Sequence, residues 1–197
     1  MTVLGITGPT GAGKTTALGE LKKLGGCVLD ADAVYHELLE SDLTLRSDLE
    51  ERFGQLTRED GSFDRKKLGG IVFHDQAALN DLNAIAHRRV VLELGRRLLL
   101  AKEEGAQVAA VDAIALFESG VSELCHVTLA VLAPPEVRVR RVMDREGVSE
   151  DYARSRVKAQ KPDEYFSRHC DYTLINDCPS AEEFSRKVRE FLKEVLP

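Results

Sequence analysis

The segment Gly8-Pro-Thr-Gly-Ala-Gly-Lys-Thr15 constrains this chain more than any other feature, because it fits the pattern G-x-x-x-x-G-K-[ST] at every position. The apolar run Val3–Thr7 precedes it, and the helical pattern Thr15–Leu24 follows it. In this order of strand, loop and helix, the glycines allow backbone N–H groups to surround a phosphate, and the helix adds the positive end of its dipole. The segment therefore predicts a P-loop that binds the phosphates of a nucleotide.

Residues in and near this loop have distinct expected roles. Lys14 is expected to reach the β- and γ-phosphates of ATP, and the Thr15 hydroxyl is expected to coordinate Mg²⁺. Asp112 ends another apolar run, where it either supports the metal, directly or through water, or serves as a structural carboxylate. The predicted ATP contacts within the loop are Gly11, Ala12, Gly13, Lys14, Thr15 and Thr16.

Five short apolar runs, rich in Val, Leu or Ile, have the length and composition of strands. Segments long enough for crossover helices separate them, which predicts a parallel sheet with helices on both faces. The expected fold is therefore α/β, with a three-layer P-loop NTPase core around a five-stranded parallel sheet. The runs are Val3–Thr7, Cys27–Asp30, Gln107–Asp112, Val127–Leu132 and Tyr172–Asn176.

Two stretches exceed what such a core requires. More than seventy residues separate the second run from the third, whereas a crossover needs about a dozen, so a helical lobe is expected at about residues 33–103. The turn-like sequence Arg58-Glu-Asp-Gly61 interrupts its helical patterns. A smaller helical lid is expected at about 134–165, where Pro134-Pro135 opens the first helix. We expect one P-loop domain that carries both insertions.

Charge and composition exclude several classes of protein. With 27 basic and 33 acidic residues, the net charge of −6 has the wrong sign for a protein that binds nucleic acid mainly through its phosphates. No apolar run approaches the roughly 20 residues that span a bilayer, and the first residues lack the basic region of a signal peptide, so a cytoplasmic location is expected. The cysteines form no C-x-x-C pair, and we expect reduced thiols.

A lid of cations distinguishes a kinase from other P-loop proteins, since phosphoryl transfer depends on positioning and electrostatic stabilisation. Arg138, Arg141 and Arg145 recur at spacings of three and four and so share one helix face. Arg156 and Gln160 repeat the spacing on the next predicted helix, while the N-K-x-D element of a GTPase is absent. We expect Arg141 or Arg145 to contact the nucleotide. The alternative is a solvated face paired with Asp144, Glu146, Glu150 and Asp151.

The segment Leu29-Asp-Ala-Asp32 ends the second apolar run, and in α/β sheets ligands bind beyond the carboxyl ends of the strands. A carboxylate there can orient an attacking hydroxyl and accept its proton, which makes Asp32 a candidate base. Aspartate is also a favoured N-cap. We therefore expect one of Asp30 and Asp32 to cap the helix that begins near Ala33.

Six segments, in order along nearly the whole chain, carry a resemblance to a known family. They are Ile6-Thr-Gly-Pro-Thr-Gly-Ala-Gly-Lys-Thr-Thr16, Val28-Leu-Asp-Ala-Asp32, Asp112-Ala-Ile-Ala-Leu-Phe-Glu118, Arg141-Val-Met-Asp-Arg145, Arg156-Val-Lys-Ala-Gln160 and Asp171-Tyr-Thr-Leu-Ile-Asn176. Together they resemble the dephospho-CoA kinase family. Many families share the P-loop, whereas the D-A-D element and the R-x-x-x-R and R-x-x-x-Q elements of the lid are much more particular.

The resemblance implies that a P-loop kinase domain, with a helical CoA-binding lobe and a lid, uses ATP to phosphorylate the ribose 3′-hydroxyl of dephospho-CoA. It implies that Asp32 is the catalytic base and that Lys14 and Arg141 take part in catalysis. It further assigns Arg141, Arg145 and Asn176 to ATP. The acceptor contacts that it implies are Asp32, Arg65, His87, Arg156 and Gln160.

Four positions around the acceptor lobe and the lid depart from the family pattern. Arg88 and Ile114 replace prolines, Arg138 replaces a glutamine and Phe166 replaces a lysine. These departures affect the acceptor assignment more than the kinase assignment, and His87 has a helix-packing role as its alternative. A nucleoside or nucleoside-monophosphate kinase, and a P-loop regulatory protein without turnover, remain alternative functions. We expect a monomer or weak homo-oligomer that acts on small molecules.

Overall fold

A five-stranded parallel sheet is the centre of the computed structural model, which describes residues 1–196. Its strands are β1 Thr2–Thr7, β2 Cys27–Asp30, β3 Val108–Asp112, β4 Val127–Leu132 and β5 Tyr172–Ile175. They lie in the order β2-β3-β1-β4-β5, so β1 has a neighbour on each side and its carboxyl end opens at the middle of the sheet. The prediction of five parallel strands is confirmed. The observed ends of the strands differ from the predicted ones by one residue at most.

Two compact units divide the chain by their internal contacts: Met1–Leu29 together with the residues from Leu100 onward, and Asp30–Leu99. The helices are α1 Lys14–Lys23, α2 Ala31–Ser41, α3 Leu43–Phe53, α4 Arg65–Val72, α5 Gln76–Glu103, α6 Pro135–Glu146, α7 Glu150–Lys158, α8 Asp163–His169 and α9 Ala181–Val195. The first unit therefore contains the sheet. The second contains the helices α2, α3 and α4 and most of α5, in the region where the sequence predicted a helical insertion.

Alternation along β1 assigns its side chains to the two faces of the sheet. Leu4 and Ile6 are buried in one cluster with residues of α1 and α9, including Leu21 and Phe184. On the other face, Ala130 and Leu132 of β4 pack against Phe166 of α8. Because apolar side chains cover both faces, the strands can be nearly continuous hydrophobic runs, as their sequences are.

The second unit buries leucines on α2 and α3, among them Leu39 and Leu45. Arg46 ties its parts together: Nε donates to the Leu39 carbonyl at 2.6 Å, Nη2 to the Glu40 carbonyl at 2.8 Å and Nη1 to the Gly61 carbonyl at 2.9 Å. The predicted turn is present, with Gly61 at a φ of +82° and its N–H donating to the Arg58 carbonyl. One guanidinium thus satisfies carbonyls at the end of α2 and in this turn.

Within residues 1–196, no helix combines the length and the apolar character that crossing a membrane requires.

Candidate active site

Close packing around the loop between β1 and α1 requires its glycines. Gly8 and Gly13 have φ values of +136° and +108°, in the region that side-chain-bearing residues rarely adopt. A Cβ at Gly8 would lie 2.1 Å from the Val131 carbonyl oxygen, and one at Gly13 would lie 2.3 Å from Asn176 Nδ2. The motif glycines are therefore fixed by contacts with β4 and with the residue that follows β5.

Helix α1 begins at Lys14, so the N–H groups of its first turn face the loop at the positive end of the helix dipole. Lys14 Nζ donates to the Gly8 carbonyl at 2.9 Å, which holds the ammonium across the loop. The Thr15 side chain is exposed, and the Thr16 N–H donates to the Gly13 carbonyl at 3.0 Å. Cation, hydroxyl and helix N-terminus thus occur together, as phosphate binding requires.

Asp112 lies at the carboxyl end of β3, in register with Ile6 of β1, one residue before β1 ends. The Ala113 N–H donates to the Ile6 carbonyl, so the chain beyond Asp112 still runs beside β1. Within residues 1–196, no group of three or more His, Cys, Asp or Glu side chains is placed to hold a metal alone. A metal held by Thr15 and Asp112 would need further oxygen ligands from phosphate.

Arg141 of α6 contacts the loop directly. Its Nη1 donates to the Gly11 carbonyl at 3.1 Å and to the Ala12 carbonyl at 3.3 Å, while Nη2 donates to Asn176 Oδ1 at 3.2 Å. Asn176 is only 3% exposed, and its Nδ2 donates to the same Ala12 carbonyl at 2.9 Å. Both residues hold the loop backbone through these hydrogen bonds, and the contact with ATP predicted for them stays a prediction.

Two more lid residues reach the loop at Thr10. Arg145 Nη2 donates to Thr10 Oγ1 at 3.3 Å, and Gln160 Oε1 accepts from the Thr10 N–H at 2.9 Å. Arg145 lies on α6, whereas Gln160 lies two residues beyond the end of α7 and not on the helix where the sequence predicted it. The two helices pack through a small apolar cluster that includes Val142 and Ala153. The sequence-predicted residues Arg141, Arg145, Gln160 and Asn176 are therefore gathered around one loop.

Glu146 was considered only as a surface counterion, yet it joins two predicted site residues. Its Oε1 accepts from Arg145 Nη2 at 2.6 Å, and its Oε2 accepts from Arg156 Nη1. The hydrogen bond from Arg145 and the positive charge of Arg156 hold the pKa of Glu146 below its ordinary value. Arg156 is thus linked to the loop through Glu146 and Arg145. The position of Glu146 directly after Arg145 in the sequence was the signal that could have identified this role.

The aspartates at the start of α2 have different surroundings. Asp30 is the N-cap, and its Oδ1 accepts from the Asp32 N–H at 2.9 Å and the Ala33 N–H at 3.0 Å. Asp32 is exposed in the first turn of the helix. The sequence left open which of the two caps; the cap is Asp30, so the Asp32 carboxylate is not required for it.

The remaining predicted acceptor residues lie in the second unit. Arg65, at the start of α4, donates from Nη2 to Glu40 Oε1 at 2.9 Å and to the His36 carbonyl at 3.3 Å. His87 lies half-buried in α5, and the exposed Arg88 follows it. Arg65 is thus held at the last turns of α2.

The strand order and the arginine-bound loop define a P-loop phosphotransferase. The family model of dephospho-CoA kinase matches residues 2–182. The dephospho-CoA kinase of Corynebacterium diphtheriae is 34% identical over 191 residues, which cover 96% of this chain and 95% of the relative. That of Bacillus thuringiensis subsp. konkukian is 34% identical over 176 residues, which cover 89% and 88%. The chain belongs to the dephospho-CoA kinase family.

Solved structures share this fold. The Thermus thermophilus protein TT1252 has a TM-score of 0.76 and 34% identity, with 100% of this chain and 98% of that one covered. A dephospho-CoA kinase from Campylobacter jejuni, at 24% identity, shows the same fold with a TM-score of 0.71 and coverage of 98% and 96%. The family match favours neither a nucleoside kinase nor a P-loop protein without turnover.

Proposed function

We propose that this chain transfers the γ-phosphoryl group of ATP to the ribose 3′-hydroxyl of dephospho-CoA, which yields coenzyme A and ADP. The observation that carries the proposal is a P-loop contacted by Arg141 and Arg145, in a chain whose family match extends over residues 2–182. The relatives named dephospho-CoA kinase support the choice of acceptor.

The loop binds and orients the transferring group. The backbone from Gly11 to Thr16 surrounds the phosphates, and the ammonium of Lys14 stabilises the charge on the γ-phosphoryl oxygens in the transition state. Arg141 supports the loop carbonyls, and Arg145 adds positive charge beside Thr10. Since phosphoryl transfer needs positioning more than covalent help from the protein, a rigid loop with fixed cations is the main requirement.

The Thr15 hydroxyl and the Asp112 carboxylate, the latter directly or through water, are the proposed protein ligands of Mg²⁺. Both are hard oxygen donors of the kind that Mg²⁺ prefers, and they come from the loop and from the end of the strand beside β1. When bound, Mg²⁺ neutralises charge on the phosphates.

Asp32 is the proposed general base. Its carboxylate accepts the proton of the ribose hydroxyl while that oxygen bonds to the γ-phosphorus and the bond from phosphorus to the ADP oxygen breaks. Because Asp30 alone caps α2, Asp32 can serve this role without loss of the cap. The other proposed acceptor contacts are Arg65, His87, Arg156 and Gln160. We propose that the chain works in the cytoplasm as a monomer or weak homo-oligomer, without nucleic acid.

A panel of acceptors tests the function. Purified protein is incubated with ATP, Mg²⁺ and either dephospho-CoA, adenosine, AMP or no acceptor, and ADP and phosphorylated product are measured. We expect rapid product formation with dephospho-CoA alone. Faster transfer to adenosine or AMP would identify a nucleoside or nucleotide kinase, and nucleotide binding without any transfer would identify a regulatory protein.

The matched controls are Lys14→Ala and Lys22→Ala, both in α1. Lys14→Ala should reduce transfer by about 100-fold or more, because it removes a cation from the transition state, while its melting temperature stays close to that of the unmodified chain. Lys22 is exposed at the far end of α1, and its substitution should leave turnover unchanged. Near-normal turnover of Lys14→Ala would exclude this loop as the catalytic site.

A further inference from the structure

Tyr35 of α2 is a half-buried residue on the side of the helix that carries the proposed base, Asp32. The two residues stand three positions apart, so their side chains are neighbours on the helix surface. Side chains on a helix lean towards its N-terminus, which directs the Tyr35 ring over the turn that carries Asp32. Tyr35 therefore covers the surface next to the carboxylate that would accept the ribose proton.

The Tyr35 hydroxyl is open to a ligand. Within residues 1–196 it makes no hydrogen bond, and it is not one of the unpaired polar atoms that are enclosed away from solvent. The ring contact with His36, at 5.7 Å between ring centroids, does not use the hydroxyl. Since tyrosine hydroxyls in buried surroundings usually have a partner, this accessible oxygen retains a hydrogen bond to be made.

The nearest charge that affects Tyr35 is positive. Burial raises the pKa of Tyr35 above its ordinary value, and the guanidinium of Arg65 offsets part of the rise. The hydroxyl is therefore protonated at neutral pH and can donate a hydrogen bond. Arg65 uses Nη2 for Glu40 and the His36 carbonyl, whereas its Nε and Nη1 have no hydrogen-bond partner within the described residues. Donors for ligand oxygens are thus present on both side chains.

The order of these groups along α2 matches the order of groups in a nucleotide. Asp32 lies in the first turn, Tyr35 follows it, and Arg65 is held beyond Tyr35, at His36 and Glu40. From Asp32 to His36 the helix rises about 6 Å, which is comparable to the length of a ribose with its 5′-phosphate. All of these residues belong to the unit Asp30–Leu99, so one compact unit sets their spacing.

We propose that Tyr35 is a further acceptor contact, whose hydroxyl donates a hydrogen bond to an oxygen of the ribose–phosphate part of the acceptor nucleotide. The inference rests on the proposed function, because it takes Asp32 and Arg65 as contacts of the same acceptor. Asp32 accepts the proton, so Tyr35 contributes to binding and to the choice of acceptor. An acceptor without an oxygen at this place would leave the hydroxyl unpaired and would bind more weakly.

Kinetics of Tyr35→Phe test the contact, because phenylalanine keeps the ring and removes only the hydroxyl. The KM for dephospho-CoA should rise about threefold to tenfold, the effect of one lost hydrogen bond, with kcat and the KM for ATP nearly unchanged. The control is Tyr172→Phe, at the amino end of β5, where the ring packs against Phe191. That variant should change neither constant. An unchanged KM for dephospho-CoA in Tyr35→Phe would overturn the contact, as would an equal rise in the KM for ATP.

A direct readout of binding comes from ¹⁹F NMR of protein labelled with 3-fluorotyrosine, with a saturating non-hydrolysable ATP analogue present throughout. The chain has four tyrosines, and phenylalanine variants of each identify the four signals. We expect dephospho-CoA to shift the Tyr35 signal saturably, and AMP, which keeps the ribose and a phosphate, to shift it in the same direction. Pantetheine should not shift it, and the Tyr172 signal should not move with any of the three. A response to pantetheine in place of AMP would overturn the assignment to the ribose–phosphate part.

The NMR measurement needs no turnover, which separates this inference from the proposed function. Turnover of dephospho-CoA without a shift of the Tyr35 signal would overturn the contact and leave the kinase activity standing. A saturable shift without turnover would support the contact and overturn the activity. If Tyr35→Phe melts well below the unmodified chain, the Tyr35 signal of the unmodified chain, identified by elimination with the other three variants, still decides.

Discussion

Asp30 and Asp32 stand two residues apart at the start of α2 and have different surroundings. The Asp30 carboxylate accepts two backbone N–H groups, while Asp32 is exposed on the first turn. Capping contributes to stability, whereas a base contributes to turnover, so the two roles can be measured independently.

Asp32→Asn should lower kcat by about 10²–10⁴, the usual contribution of a general base, with ATP affinity and melting temperature nearly unchanged. The matched variant Asp30→Ala should lower the stability of the protein by about 0.5–2 kcal/mol through loss of the cap. Steady-state kinetics with dephospho-CoA and thermal melts of both proteins are the measurements. A normal kcat for Asp32→Asn would remove it as the base.

Arg141→Ala should lower kcat/KM for ATP by about 10-fold to 100-fold, because the loop carbonyls of Gly11 and Ala12 and the amide of Asn176 lose a charged donor. Arg140→Ala, one residue earlier and exposed, should have little effect. Kinetics at varied ATP concentration compares the two. Equal effects would mean that the arginines of α6 form only a solvated face.

At the scale of elements, the Glu146 carboxylate joins the end of α6 to α7 through Arg145 and Arg156, two arginines that we propose as substrate contacts. Glu146 binds Arg145 and Arg156, and any phosphate that recruits either arginine must displace it.

Glu146→Gln should lower the KM for ATP about twofold to fivefold, since the energy of an exposed ion pair no longer opposes binding. The control is Glu136→Gln, because Glu136 also pairs α6 with α7 but does so through Arg154. The KM for ATP of the Glu136→Gln variant should not change. A raised KM in Glu146→Gln would show instead that Glu146 holds the arginines in their binding positions.

Ion pairs also join α2 and α5 in the second unit. Arg97 contacts Glu93 of its own helix and Glu37 of α2. The hydrogen bond from Arg96, reinforced by that from Arg97, lowers the pKa of Glu93 from 4.5 to about 2. A folded-state pKa below the unfolded value means that this carboxylate stabilises the fold fully above the unfolded pKa.

Its contribution should therefore be lost as the pH falls from about 4.5 towards about 2. Thermal melts from pH 6 to pH 2 should show that Glu93→Gln is less stable than the unmodified chain at the upper end and that the difference narrows through this window. Glu103→Gln, exposed at the end of the same helix, should show no such trend. A constant difference across the window would contradict the assignment.

At the scale of the whole molecule, the sheet and the long insertion were predictable because each apolar run and each helical pattern is local. The helix α9 was not predicted, although Phe184, Val188 and Leu192 recur at helical spacing and are buried against the sheet. Because this periodicity is local, the sequence alone is sufficient to predict the helix.

The residues at and near the candidate site differ in how much of their placement the sequence alone predicts. Lys14 and Thr15 follow from contiguous sequence, since the motif determines the local backbone. Arg138 does not: it shares a helical spacing with Arg141 and Arg145, yet only the packing of α6 shows that its side chain is buried beside Asp163. Spacing assigns a face to a residue, but the neighbours of that face come from distant parts of the chain.

The amide of Asn176 beneath Gly13 has a consequence for synthesis of the protein. Ala12 lies near the amino terminus, but the side chain that holds its carbonyl comes 164 positions later. During translation the glycine-rich segment leaves the ribosome long before this support exists, and a nascent chain without Asn176 lacks both its hydrogen bond to Ala12 and the acceptor for Arg141. A polypeptide that terminates before β5 therefore never forms either of these hydrogen bonds at the loop.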